Sequence, residues 1–146
     1  MTRVIKFRGK LIKDRQWICG DLVRDNRGYS YIYPEDAEGL YLENRVKNAT
    51  VGQFTGLRDR NGKEIYEGDI IYSRFGDGSD CLCVVGFDEK LLAFGIMDEY
   101  AYRSKLQGYA ERYYENGFMH NVYKNSVIFE VRGNIYDNPD MLSRED

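Results

Sequence analysis

The sequence predicts an α+β protein, mainly β, in which short antiparallel strands and hairpins form a small SH3-like or barrel-like core, with one helical segment inserted near residues 98–116. Three observations carry this expectation. Apolar residues recur at period two in short runs, the spacing of half-buried strands. Turn signals built on Asn-Gly, Gly-Asp and Asp-Gly separate those runs. A single stretch, residues 98–117, spaces its apolar residues as a helix does. The chain has 146 residues, 42% of them hydrophobic and 31% charged, with two prolines and no biased tract. That composition belongs to a globular chain, and without a repeat or linker the expectation is a single domain over 1–146.

The elements follow in order. "RVIKFRGKLIKDRQWICGDLV" sets Val4, Lys6 and Arg8 against Ile5 and Phe7 and becomes apolar again at Trp17 and Ile18, so two strands meet around Lys13 to Gln16. "YSYIYP" places Tyr29, Tyr31 and Tyr33 at period two and ends at Pro34, a third strand. Residues 34–49 read as a loop with a short strand around Leu40 to Leu42. In "TVGQFTGLRDRNGKEIYEGDII" the pair Asn61-Gly62 predicts a type I′ hairpin turn, because both central residues of that turn need positive φ. Glu67 to Asp69 then reads as a second tight turn, and Gly52 and Gly56 as places for a bulge or a close backbone approach. Past the tip "GDGSD", the runs "CLCVVGF" and "LLAFGIM" flank Asp88-Glu89-Lys90 as another hairpin. Tyr102, Leu106, Tyr109 and Tyr113 share a helical face, with Asp98 as cap and Gly117 as end. Gly108 weakens this helix by about 1 kcal/mol relative to alanine, which leaves a partly helical insertion loop open. "SVIFEVRGNIY" reads as a strand and "DNPDML" as a short terminal turn with Asn138 as cap and Pro139 first inside it.

The formal charge of −3 excludes a protein that coats nucleic acid by net attraction. The charge is unevenly spread. Residues 1–16 hold Arg3, Lys6, Arg8, Lys10, Lys13 and Arg15 against Asp14, a local +5 that leaves −8 elsewhere. Such charges are ordinarily the solvated face of a hairpin, and Arg3, Lys6 and Arg8 are also the candidate nucleic-acid contacts. No apolar run approaches 18 residues and the start lacks a signal-peptide core, so no membrane partner is expected and the cytoplasm is the expected location. Three cysteines, an odd number, suit a reducing compartment.

No catalytic set stands out. The single histidine, His120, lies among polar residues, and no nucleophile elbow or phosphate-cradling glycine motif is present. Cys81 and Cys83 fall on one face of a strand, where they would join Cys19 and His120 in a zinc site, but buried cysteines acting as small hydrophobes are the expected outcome. Glu64, Glu67, Asp69 and Asp80 would need to converge in a cleft to serve a nuclease or glycosidase, and their spacing is equally that of exposed turn residues. The expectation is therefore no catalytic residue, no metal ligand and no cofactor.

"IKFRGK", "WICGDLV", "TVGQFTGLRDRNGKEIYEGDII", "VVGFDE" and "VRGNIYDNPDML", in that order, resemble the YopX family, small proteins encoded largely by phages and prophages. The resemblance is light over the N-terminal third, dense over residues 50–72 and good over the C-terminal strand, and residues 98–125 match no family signature. It implies a phage-related context and brings no catalytic activity and no site residues with it.

The functional expectation is a non-enzymatic phage or prophage accessory protein, a binding or assembly module whose partner is a phage or host protein. A nucleic-acid-binding protein and a carboxylate-dependent hydrolase are the alternatives. Tyr100, Tyr102, Tyr109, Tyr113 and Tyr114 exceed what one helix face buries in so small a core, which predicts a homo-oligomer using Tyr102, Leu106, Tyr109 and Tyr113.

Overall fold

In the computed structural model, which describes residues 2–39, 41–106 and 126–143, the chain is mixed α+β and mainly β. It divides into two compact units, Met1–Gly56 and Leu57–Asp146.

The first unit is built from β1 (Phe7–Lys10), β2 (Trp17–Arg24), β3 (Ser30–Tyr33), β4 (Arg45–Val46) and β5 (Gly52–Arg58), in the order β4-β3-β2-β1-β5. β1 and β2 are antiparallel, with Arg8 opposite Cys19 and Lys10 opposite Trp17. This alternation turns Phe7, Ile18 and Leu22 toward Leu11, Ile32 and Val46, which form the core. Ile32 and Val46 are essentially sealed from water, and each such side chain contributes about 1.5–3 kcal/mol by burial. The second edge of β4 is met by the chain just after β1: the Ile12 amide donates to the Arg45 carbonyl at 3.0 Å and the Lys47 amide to the Lys10 carbonyl at 2.8 Å.

β5 continues past Gly56 and joins β6 (Glu64–Tyr66) through a hairpin in the second unit. There β7 (Asp69–Phe75), β8 (Asp80–Asp88), β9 (Ala93–Asp98) and β10 (Ser126–Asn134) form an antiparallel sheet in the order β10-β7-β8-β9. Both faces of this sheet are covered, which explains the nearly unbroken apolar run in β8. Cys83 and Val85 pack with Ile65, Ile71 and Ile96, while Val84 packs with Ile70 and Leu142 on the other side. Helix α1 (Glu99–Leu106) follows β9 directly, and the Asp98 carboxylate accepts the Ala101 amide at 2.7 Å as its cap.

The expected elements recur with four corrections. Of the short strand expected around Leu40 to Leu42, Leu40 lies outside the described residues and Leu42, 78% exposed, opens a 3-10 turn over Leu42–Asn44, while the strand lies at Arg45–Val46, where Val46 is the residue that finds a core. The Asn61-Gly62 turn is a type I turn closed by a glycine bulge, not type I′. Only Gly62 has positive φ (+80°), because the Asp59 carboxylate takes the Asn61 and Lys63 amides at 2.9 Å each and holds Asn61 on the right-handed side. The strand expected from Leu91 begins at Ala93, and Leu92 sits in the turn at φ +53°. Cys83 is a buried hydrophobe, but Cys19 is exposed. Gly56, at φ +88°, has no atom near where a side chain would point, so its role is conformational. The helix starts where expected, and residues 107–117 of the expected segment, with Tyr109, Tyr113 and Gly117, lie outside the described residues.

Candidate functional site

Three hairpins share one turn. In Asp25–Tyr29, Asp59–Lys63 and Phe75–Ser79, the first residue's amide donates to the fifth residue's carbonyl and the glycine at the fourth position donates back to the first carbonyl. The acids of these turns are structural. Asp25 accepts the Arg27 and Tyr29 amides at 2.9 and 3.0 Å, and Asp77 accepts the Ser79 amide at 2.9 Å. Asp59 also reaches across to β10, accepting the Val131 amide at 3.0 Å. Burial pushes the Asp59 carboxyl up, yet the amides of Val131, Lys63 and Asn61, with the Lys63 charge, outweigh it and hold the group below the usual carboxylate range.

The acids proposed for hydrolase chemistry are similarly engaged. Glu64 accepts from Arg58 at 3.3 Å and from the Tyr66 hydroxyl at 3.0 Å. Asp69 is buried and accepts the Tyr66 amide at 2.8 Å, closing the turn that contains Glu67. Asp80 accepts the Tyr72 hydroxyl at 2.9 Å, a bond that raises the Tyr72 phenol above its ordinary value. Among the described residues, no group of three or more His, Cys, Asp and Glu side chains is placed to hold a metal ion. Cys81 and Cys83 do meet, at 3.2 Å between sulfurs, while His120 lies outside the described residues.

In the first unit, cations lie against aromatic rings. The Arg8 guanidinium is buried and sits 4.7 Å from the Trp17 ring centre, with the Lys10 ammonium at 5.6 Å. Lys6 stands 5.2 Å from the Phe54 ring, and Arg3 is exposed ahead of β1. A second cluster escaped the sequence reading: the Arg45 guanidinium lies 3.5 Å from the Tyr29 ring centre and Arg27 lies at 4.9 Å, with Arg27 also bonded to Asp25 at 3.0 Å. Its only signal in sequence was "DNRGY", which sets Asp25 to shape the turn that presents Tyr29. Each such contact contributes about 0.5–1 kcal/mol when exposed. On α1, Tyr102 is half-buried against Ile70, Val84 and Met97, while Leu106 is 71% exposed.

This is a mainly β protein in which Asp25, Asp59, Asp69 and Asp77 fasten turns and, at Asp59, a strand edge. It belongs to the YopX protein family, which matches residues 6–143. The fold is similar to that in the crystal structure of protein EF1440 from Enterococcus faecalis, with a TM-score of 0.52, 18% identity, and coverage of 97% of this chain and 100% of that one. No curated protein matches the chain. Among the described residues, no helix is long and apolar enough to cross a membrane.

Proposed function

We propose that this chain is a phage- or prophage-encoded accessory protein that acts in the bacterial cytoplasm by binding and assembly, without catalysis. The observation that carries the reading is the engagement of Glu64, Asp69 and Asp80 by a neighbouring arginine, tyrosine hydroxyls and a turn amide. A carboxylate held by a turn amide in a buried position is spent on the fold, and general acid–base work needs a group turned toward a substrate. We take 1–146 as one YopX-like domain, because the family match runs through both units. A small barrel-like core in the first unit belongs to the same proposal, supported by the chain after β1 bonding to the far edge of β4.

Assembly is proposed through α1, where Leu106 of the expected set is exposed, Tyr102 of that set packs half-buried against the core, and Tyr100 is the exposed tyrosine. Tyr100 and Leu106 are 55% and 71% exposed there, more apolar surface than a short, otherwise polar helix needs to show water. Tyr109 and Tyr113 complete the proposed interface and lie outside the described residues. The reading is tested by incubating the protein with labelled DNA, RNA and β-linked oligosaccharide in the presence of Mg²⁺ or Mn²⁺. No turnover is expected, and cleavage lost in Glu64→Gln or Asp80→Asn would overturn it.

A second reading, nucleic-acid binding, is favoured by one specific observation. The first unit carries ten Lys and Arg against seven Asp and Glu, a formal +3, whereas the second carries eleven against seventeen, −6. Its cations alternate with rings, as single-strand binding surfaces do. Of the three contacts expected from the sequence, Arg3 and Lys6 are better placed for phosphate than buried Arg8, and Arg45 joins them in this reading. A salt-dependent shift of labelled single-stranded DNA, reduced in Arg45→Ala and Lys6→Ala, supports it, and no shift at low salt removes it.

A further inference from the structure

We propose that Cys81 and Cys83 form a redox-active dithiol, in which Cys81 meets the oxidant and Cys83 resolves the product into an intrachain disulfide. The two residues sit two apart on β8, so their side chains share a face, and their sulfurs lie 3.2 Å apart. A disulfide needs about 2.05 Å, so closing the bond asks for an approach of roughly 1.2 Å.

The surroundings divide the roles. Cys83 is completely buried, enclosed by Ile65, Ile71, Val85 and Ile96, whereas Cys81 is only partly buried at the margin of that cluster. A dissolved oxidant therefore reaches Cys81 first, and the sulfur best placed to react with Cys83 is that of Cys81. The hydrogen bond with Cys83 draws the Cys81 thiol below its ordinary range, against burial and the charges of Asp98, Asp80 and Glu99, which push it up. The same contact, with burial, pushes Cys83 far up, so it remains protonated until it reacts.

With a peroxide as oxidant, the Cys81 thiolate attacks one peroxide oxygen, the O–O bond breaks, and a sulfenic acid and hydroxide form. The Cys83 sulfur then attacks the Cys81 sulfur, its proton leaves with the sulfenic oxygen, and one water departs. In sum, two thiols and one peroxide give one disulfide and two waters. Alternate residues on an extended strand stand roughly 6.6–6.8 Å apart at Cα, the upper limit for a disulfide, so β8 must pucker to accept the bond. Strained disulfides are more oxidising and more easily reduced, which makes this one reversible.

The test uses the full chain carrying Cys19→Ser, which removes the exposed third thiol. After treatment with one equivalent of hydrogen peroxide, the chain is denatured and its thiols counted, and its mass is measured before and after dithiothreitol. The expected result is loss of both thiols together, with a mass decrease of about 2 Da that dithiothreitol reverses. Loss of a single thiol to sulfinic acid, or a disulfide between chains, overturns the proposal. A second variant, Cys81→Ser, checks the route: Cys83 should resist peroxide while the chain stays folded by circular dichroism, and oxidation at an unchanged rate contradicts it.

Discussion

The Asp59 carboxylate and the Val131 amide, 72 residues apart in the chain, are joined by a 3.0 Å hydrogen bond. β10 is the last strand of its sheet, and this bond falls on it beside a second one, from the Arg60 amide to the Phe129 carbonyl at 3.3 Å. The same carboxylate holds its own turn through Asn61 and Lys63. One side chain thus shapes a hairpin and occupies part of a strand edge that would otherwise accept another strand. The proposed assembly surface on α1 lies away from this stretch of β10.

Asp59→Asn keeps the shape of the side chain but turns an amide donor toward one of its three backbone donors. We expect a loss of about 1–3 kcal/mol, the cost of a buried donor left unsatisfied. The midpoint of urea unfolding measures it. Asp77→Asn, in the exposed turn of the same type, should stay within about 0.5 kcal/mol. A change within about 0.5 kcal/mol at Asp59 as well would show that its buried bonds contribute little.

The same residue sets a pH dependence. Its pKa is depressed in the folded state, so its stabilisation is fully present above the unfolded value near 3.8 and disappears as pH falls through the lower folded value. Unfolding free energy followed from pH 6 to pH 2 should fall less steeply below pH 4 in Asp59→Asn than in the parent chain. Parallel curves would remove Asp59 from the acid response.

The two residues of the Asn-Gly pair are expected to behave differently. Gly62 is at φ +80°, so Gly62→Ala should cost about 1–2 kcal/mol, whereas Asn61 lies outside the left-handed region and Asn61→Ala should cost less than about 0.5 kcal/mol. Comparable losses at both positions, seen by thermal unfolding, would restore the type I′ turn.

Leu92 is 78% exposed and held at φ +53°, a conformation that a branched side chain resists. Leu92→Gly should therefore stabilise the chain by a few tenths to about 1 kcal/mol and raise its melting temperature. A lower melting temperature would mean that the exposed leucine makes contacts that outweigh its backbone strain.

Much of this architecture is legible locally. Period-two alternation placed β1 and β3, apolar runs beside turn signals placed β2, β7, β8 and β10, and the parity of Cys81 and Cys83 put both on one face. Asn61-Gly62 located its hairpin, yet the turn type depended on the Asp59 carboxylate two residues before, a residue the dipeptide rule ignores. Leu42 looked like strand because it is apolar, but Val46 captured the core position, and competition between two nearby apolar groups is settled by packing. Arg8 reads in sequence as a solvated cation and is buried beside Trp17, because its register partner was not knowable from its own neighbours. Asp59 was invisible as an edge fastener for the same reason: its partner belongs to a strand 72 residues on.

The central proposal is assembly through α1, and light scattering coupled to gel filtration at micromolar concentration tests it most directly. The account predicts a mass at least twice the 17.1 kDa of the chain, falling toward one chain in Tyr100→Ser/Leu106→Ser with its β-sheet circular dichroism intact. A parent protein that elutes with the mass of one chain would contradict it.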